Sequence, residues 1–174
     1  MKHLFLCGFT GSGKTTIGRA AAKLAGIAFL DLDDFIIEHA GMAIPEIFSK
    51  YGESYFRELE TAALAEIAFS PDPLIVATGG GALISEQNAI LCQKHGEVLF
   101  LDVPFETCYR RIFSDPNRPI ASSRSKEELL ALYQERRRLY RAHCSEILED
   151  AAPETLAETV AERILELIGE EPKQ

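Results

Sequence analysis

The stretch HLFLCGFTGSGKTTIG, His3 to Gly18, decides the fold. Its first five residues form a short apolar run of the kind that makes a buried strand. Directly after it, Gly8-Phe9-Thr10-Gly11-Ser12-Gly13-Lys14-Thr15 satisfies GxxxxGK[ST] in full, and a helix-like segment comes next. The chemistry of phosphate explains that order. Glycines let backbone N–H groups converge on phosphate oxygens, and a helix N-terminus adds a favourable dipole. Lys14 can reach the β- and γ-phosphates, and Thr15 can ligate Mg²⁺. Gly11, Ser12, Gly13, Lys14, Thr15 and Thr16 are therefore candidates for binding a nucleoside triphosphate. The motif leaves open what receives the phosphate.

A chain of 174 residues suffices for one domain with a proper core, and 47% hydrophobic content argues against disorder. No apolar run reaches the roughly 18 residues that span a membrane. The N-terminus enters a strand without a basic region and cleavable apolar segment, so no signal peptide is expected. Cys7, Cys92, Cys108 and Cys144 are scattered without a CxxC pair, as expected of reduced, packed cysteines in a cytoplasmic protein. A net charge of −9 argues against nucleic acid as a partner. Yet residues 110–141 carry nine of the 18 Lys and Arg against four acids, a local balance of +5. An acidic protein with one basic segment suggests a local site for small anions.

Short apolar runs alternate with longer helix-like segments. Strands are expected at 3–7, 28–31, 74–77 and 98–102, with a weak fifth near Ile147-Leu148. Helices are expected at 14–25, 34–40, 45–51, 54–69, 86–95, 105–113, 126–144 and 155–168. In the last, Leu156, Val160, Ile164 and Ile168 recur at four-residue steps and define one buried face. This alternation predicts an α/β fold with a parallel sheet. Ser114 to Ser125, crowded with Pro, Asn and Ser, reads as a loop. Gly169–Gln174 reads as a frayed, charged tail.

Four further motifs bear on the acceptor. In Asp31-Leu32-Asp33, at the end of the second strand, alternation puts two carboxylates on one side, near the edge where ligands of parallel sheets sit. One could serve Mg²⁺ and the other a substrate hydroxyl; capping of the next helix by Asp33 or Asp34 is the plainer alternative. Thr78-Gly79-Gly80-Gly81 permits close approach of backbone to a ligand. Arg57 and Glu60 lie three apart and share a helix face. In Arg136-Arg137-Arg138-Leu139-Tyr140, consecutive arginines point in different directions, so one or two serve a site and the others face solvent. Val98-Leu99-Phe100-Leu101-Asp102 resembles a strand whose terminal Asp serves Mg²⁺ in other phosphate-loop proteins, but Asp31 lies beside the acceptor motif and is favoured for the metal.

Taken in order, these motifs resemble the shikimate kinase family from Leu4 to about Tyr140. The phosphate loop is followed by Thr16-Ile17-Gly18-Arg19. Phe29-Leu30-Asp31-Leu32-Asp33-Asp34-Phe35-Ile36-Ile37-Glu38 comes next, then Ile47-Phe48, Gly52-Glu53, Phe56-Arg57 and Glu60. The triple glycine, Arg118-Pro119 and Arg136 to Tyr140 complete the set. The resemblance implies a phosphate-loop fold like that of nucleoside monophosphate kinases, a three-layer α/β/α sandwich with a five-stranded parallel sheet. It implies one kinase domain over 1–174, with a shikimate-binding subregion at about 32–60 and a lid at about 112–125. The implied reaction moves the ATP γ-phosphate, with one Mg²⁺, to the 3-hydroxyl of shikimate in aromatic amino-acid biosynthesis.

By the same resemblance, Lys14, Asp33 and Arg118 are catalytic, and Thr15 and Asp31 hold the metal. Arg57 and Arg136 grip the shikimate carboxylate, a task suited to guanidinium forks. Asp33 and Gly79, Gly80 and Gly81 meet the acceptor, and Phe48, Phe56 and Glu60 shape its pocket. Arg111, Arg118 and Pro153 contact ATP. A cytoplasmic monomer that binds neither nucleic acid nor membrane is expected. Two rivals stand beside this reading: another small-metabolite kinase of similar fold, such as a gluconate kinase, and a non-catalytic nucleotide-binding module.

Overall fold

A computed structural model of the chain describes residues 2–114 and 124–169. Most of the expected 112–125 lid, Arg118 included, lies outside them. The elements run β1 (His3–Cys7), α1 (Lys14–Ala25), β2 (Ala28–Asp31), α2 (Leu32–Ala40), α3 (Ile44–Ala68), β3 (Leu74–Ala77), a 3₁₀ turn (Ala82–Ile84), α4 (Glu86–His95), β4 (Gly96–Asp102), α5 (Phe105–Ser114), α6 (Lys126–His143), β5 (Glu146–Glu149) and α7 (Pro153–Ile168). All five strands are parallel, in the order β2-β3-β1-β4-β5. The fold is therefore the expected α/β sandwich, and the faint Ile147-Leu148 signal is a real edge strand.

Alternation along β1 builds both layers of the core. Leu4 and Leu6 face the cluster of Ile17, Ala21, Val160 and Ile164 from α1 and α7. Phe5 and Cys7 face the other side, against Leu32, Ile36, Leu64, Leu83 and Tyr140. A central strand buried on both faces reads as a nearly continuous apolar run, as β1 does after the buried His3. The cysteines are free, and burial pushes the Cys92 thiol up to about 12 and that of Cys108 to about 11. They are packing residues. No helix among the described residues is long and apolar enough to cross a membrane.

Strand β4 starts at Gly96 and α7 at Pro153, each two residues before the expected start, and two further differences bear on the site. The second helix starts at Leu32, not at residue 34, because Asp31 caps it: its side chain accepts from the Asp33 N–H at 3.0 Å. Asp33 thus sits in the first helical turn and does not continue the strand's alternation. The two expected helices at 45–51 and 54–69 are joined into α3, broken at Gly52 (φ 84°, ψ 174°). Left-handed φ at that position favours glycine.

Gly18 lies inside α1, where alanine would ordinarily stabilise the helix by about 1 kcal/mol. Its α-carbon faces the sheet, however, and an added Cβ would lie 2.5 Å from Phe29 Cε2 and 3.1 Å from Leu6 Cδ1. Overpacking of this kind costs about 1–3 kcal/mol, so the clash wins. Gly18→Ala should therefore lower the stability measured by urea denaturation; an unchanged or raised midpoint would show that the Phe29 ring moves aside freely.

Candidate active site

The C-terminal ends of β1, β2, β3 and β4 deliver the site. After β1 the chain turns through Gly8 (φ 153°), Gly11 (φ 83°) and Gly13 (φ 95°), conformations that side chains with a Cβ rarely adopt. At Gly8 a Cβ would also lie 2.7 Å from Ser12 Oγ and 3.0 Å from the Leu101 carbonyl. The loop therefore needs glycine for both space and backbone. Lys14 folds over it, donating to the carbonyls of Gly8 (2.8 Å) and Phe9 (3.1 Å). Gly13 caps α1 without any side-chain hydrogen bond, which leaves that helix terminus to backbone donors.

From β2 comes Asp31. Its Oδ2 accepts from Thr15 Oγ1 at 2.6 Å, so the phosphate loop and the second strand meet at two hard oxygen ligands. No cluster of three or more acidic, His or Cys side chains arranged to hold a metal occurs among the described residues. Two protein oxygens beside a phosphate loop suit Mg²⁺, which keeps waters and takes its remaining ligands from nucleotide phosphates.

From β3 comes the triple glycine. A Cβ on Gly79 would lie 2.7 Å from Asp33 Oδ1 and 3.1 Å from Glu60 Oε1, and one on Gly80 would lie 3.0 Å from Thr10 Oγ1 and 3.5 Å from Arg136 Nη1. At Gly81 it would overlap the Arg57 guanidinium. Charged side chains crowd Gly79 and Gly81, where an added Cβ would have to displace Asp33 or Arg57, whereas the nearest neighbour of Gly80 is the Thr10 hydroxyl.

Arg57 and Arg136 line one cavity of about 390 Å³ with Glu60, Gly81, Ala82, Asn88 and Arg124. Arg57 donates to Glu60 Oε2 at 2.7 Å and to Glu53 Oε1 at 3.0 Å. Burial works against its charge, but these hydrogen bonds outweigh burial and hold its pKa above the usual range. Burial raises the pKa of Glu60, whose side chain is 1% exposed, and Arg57 only partly offsets that. Arg136 is depressed by burial above all, and then by the charges of Arg57 and Arg124. Three buried side-chain atoms lack a hydrogen-bond partner among the described residues: His3 Nδ1, Ser12 Oγ and Arg136 Nε. Two of the three belong to this site, one in the phosphate loop and one at the cavity.

A second cavity, of about 230 Å³, lies on the other side of the phosphate loop. Ser12, Gly13, Thr16, Arg111, Asp150 and Pro153 line it. Arg111 reaches the loop, donating to the Gly11 carbonyl at 3.1 Å.

A family model described as shikimate kinase matches residues 10–169. The chain belongs to the shikimate kinase family. The shikimate kinase of Synechococcus elongatus is 42% identical over 166 residues, 95% of this chain and 85% of that protein. That of Enterococcus faecalis is 36% identical over 169 residues, 96% and 99% of the two chains. The structure of shikimate kinase from Acinetobacter baumannii in complex with shikimate superposes with a TM-score of 0.85 at 37% identity, covering 97% of this chain and 93% of that one.

Among the residues expected from sequence, two groups come together as anticipated: Lys14, Thr15 and Asp31, and Asp33, Arg57, Glu60 and Arg136 around the glycines. Phe48 stands apart. It is 36% exposed and packs on Phe56 at 4.9 Å between ring centroids; neither ring lines the cavity, and Asp33, Gly79 and Gly80 also lie outside its lining. Arg137 corrects the expectation that the arginines beside Arg136 face only solvent. Its Nε and Nη2 donate to Asp102 Oδ1 and Oδ2 at 2.7 and 2.8 Å, and Arg141 donates to the same carboxylate. Asp102 therefore does more than end a strand. Sequence reading also missed Tyr140, whose hydroxyl donates to the Gly80 carbonyl, and Asn88, which donates to the Ala82 carbonyl at 2.9 Å. Tyr140 lies in the Arg136–Tyr140 motif, but that motif does not show its partner, which is 60 residues away, and no motif marks Asn88.

Burial raises the pKa of Asp102, but hydrogen bonds from Arg137 and Arg141 outweigh it and hold the carboxyl below the ordinary aspartate range. A depressed folded pKa stabilises the fold above the unfolded pKa, and that contribution fades as pH falls through the folded value. The stability gap between wild type and Asp102→Asn, measured by urea denaturation, should be constant from neutrality to about pH 5 and shrink below about pH 4. A gap independent of pH would mean that the ionised carboxylate contributes nothing.

Proposed function

We propose that this chain transfers the γ-phosphate of ATP to the 3-hydroxyl of shikimate, yielding shikimate 3-phosphate and ADP on the route through chorismate to aromatic amino acids. Membership of the shikimate kinase family makes it an ATP-dependent small-molecule kinase. One observation carries the choice of acceptor: two guanidiniums, Arg57 and Arg136, line a single cavity, and Arg136 lies beside Gly80, whose nearest neighbour is Thr10 of the phosphate loop. Two cations lining one cavity favour an acceptor that brings an anion of its own, and a planar carboxylate matches guanidinium forks.

In this reading the acceptor's carboxylate binds between Arg57 and Arg136. Its ring hydroxyls meet Asp33, which orients the attacking oxygen and accepts its proton. The Gly80 N–H steadies the ring from the backbone. Glu60 holds Arg57 in place, and Phe56, backed by Phe48, walls the pocket. The ATP phosphates lie in the loop from Gly8 to Thr15, with Lys14 spanning the transferred group, Ser12 and Thr16 along the loop, and the base between Arg111 and Pro153. One Mg²⁺ at Thr15 and Asp31 neutralises phosphate charge when it is bound. The family resemblance gives Arg118 the task of stabilising charge on the transferred phosphate. Catalysis rests on positioning and charge stabilisation rather than on covalent chemistry with the protein. A cytoplasmic, monomeric enzyme accords with the unpaired cysteines and with both ligand cavities lying within one chain.

Three variants with an ADP-release assay test this reading. Wild type should release ADP with shikimate and Mg²⁺, and not with gluconate or nucleoside monophosphates; release with gluconate alone would overturn the acceptor. Arg136→Ala should raise the shikimate KM about 30-fold or more, as expected for removing one partner of a desolvated charge pair. Lys14→Ala should instead cut kcat by about 10²–10³ while sparing the shikimate KM. Gly81→Ala tests the cavity by shape alone. Its backbone (φ −116°, ψ −12°) accepts alanine, so only the Arg57 guanidinium must yield. It should raise the shikimate KM while costing less than about 1 kcal/mol of stability. An unaltered KM in both arginine-directed variants would remove the carboxylate assignment.

A further inference from the structure

Asp102 is a buried carboxylate that the proposed reaction leaves without a task. It closes β4 at the sheet edge from which the phosphate loop also springs, and its side chain is 1% exposed. In that place a carboxylate could be expected to serve Mg²⁺. Here both of its oxygens are taken. Arg137 grips them with two parallel hydrogen bonds, and Arg141 adds a third to Oδ2.

Helical geometry gives this clamp a consequence. Residues 137 and 141 are four apart and form one stripe along α6. Residues 136 and 140 form the neighbouring stripe, turned by about 100°. The first stripe is tied to the end of β4. On the second, Arg136 lines the acceptor cavity, while Tyr140 is buried in the core beside it, donating to the Gly80 carbonyl with its ring packed on Phe100 of β4 at 5.3 Å. Arg136 is poorly held by bonds of its own. Its Nε has no partner among the described residues, and its guanidinium lies 6.0 Å from the centroid of the Phe9 ring. Its aim is therefore set by the rotation of the helix that carries it.

We propose that Asp102 is a positioning residue for the acceptor: by clamping Arg137 and Arg141 it fixes the rotation of α6 and so aims Arg136 at the carboxylate. This rests on the reading that Arg136 binds that carboxylate. Asp102 touches neither substrate. Bidentate arginine–carboxylate pairs fix geometry as well as adding energy, which is the property such a task needs. Losing the clamp lets α6 turn by a small angle about the Tyr140 anchor, and the guanidinium at 136 then sweeps away from its target. The phosphate loop meets α6 through Phe9, whose ring packs on Tyr133 at 5.3 Å, while Lys14 and the loop glycines are held by β1 and α1, so that motion bears on the acceptor side more than on the ATP side.

The test is a double-mutant cycle on shikimate and ATP kinetics with Asp102→Asn and Arg136→Ala. Asp102→Asn keeps the shape of the side chain and removes its charge. It should raise the shikimate KM about tenfold and leave the ATP KM and the Mg²⁺ activation constant within about twofold. In the Arg136→Ala background the same change should alter the shikimate KM by less than about twofold, because there is no guanidinium left to aim. Full additivity of the two changes would overturn the proposal. So would a raised Mg²⁺ requirement with an unchanged shikimate KM, which would make Asp102 an ion ligand. Should Asp102→Asn fail to fold, Arg137→Gln and Arg141→Gln carry the test. Their side chains are 42% and 40% exposed, and each single change leaves Asp102 one arginine partner, so these are the milder disruptions. Each should show the same selective rise in the shikimate KM, and no rise in either would overturn the proposal. The cycle also separates two kinds of failure. If Arg136→Ala alone leaves the shikimate KM unchanged, the underlying reading is wrong; if only Asp102→Asn does so, the positioning role is wrong and the reading stands.

Discussion

Two like charges facing one buried space are the constraint on which the rest of the site depends. Arg57 meets it locally, between Glu53 and Glu60. Arg136 does not: burial and the neighbouring charges of Arg57 and Arg124 act on it together, and its Nε is left without a partner among the described residues. Such an arrangement costs free energy in the empty protein and recovers it when an anion arrives. The surrounding residues are shaped by it. At Gly79 and Gly81 the space of a side chain is taken by Asp33, Glu60 and Arg57. Asn88 and Tyr140 hold the carbonyls of Ala82 and Gly80, so the backbone that flanks the cations cannot drift.

The parallel sheet makes the rest economical of chain. Strands β2, β3 and β1 are neighbours, and each ends in a piece of the site: Asp31, the triple glycine, the phosphate loop. Because parallel strands all end at the same edge, segments far apart in sequence arrive together there. Thr15 on α1 and Asp31 on β2 meet at 2.6 Å for this reason. The fourth strand, β4, ends in Asp102. With its oxygens held by Arg137 and Arg141, this carboxylate ties the end of β4 to the helix that carries one of the two cations.

The sequence was most legible where residues act on their own backbone. GFTGSGKT defines a strand, a glycine turn and a helix start through local rules, and the structure has each where it was expected. The strand boundaries near 28–31 and 74–77 were legible for the same reason. Asp31 illustrates the limit. Two aspartates flanking Leu32 fit strand alternation and helix capping equally well, and burial of Leu32 with capping by Asp31 decides for an earlier helix start. The fate of Arg137 was less legible still. Its neighbours in sequence are arginines, and its partner Asp102 lies 35 positions away. Periodicity shows that three successive arginines diverge, but only the packing of α6 on β4 shows which of them finds a carboxylate.

The central claim is that the paired guanidiniums recognise a carboxylate, and calorimetric titration with shikimate and with its uncharged carboxamide tests it most directly. The two ligands share every ring hydroxyl and differ only in the charge that Arg57 and Arg136 would meet. The account predicts that the carboxamide binds more weakly by about 30-fold or more, the loss typical of a desolvated charge pair. Equal affinity for the two ligands would contradict it.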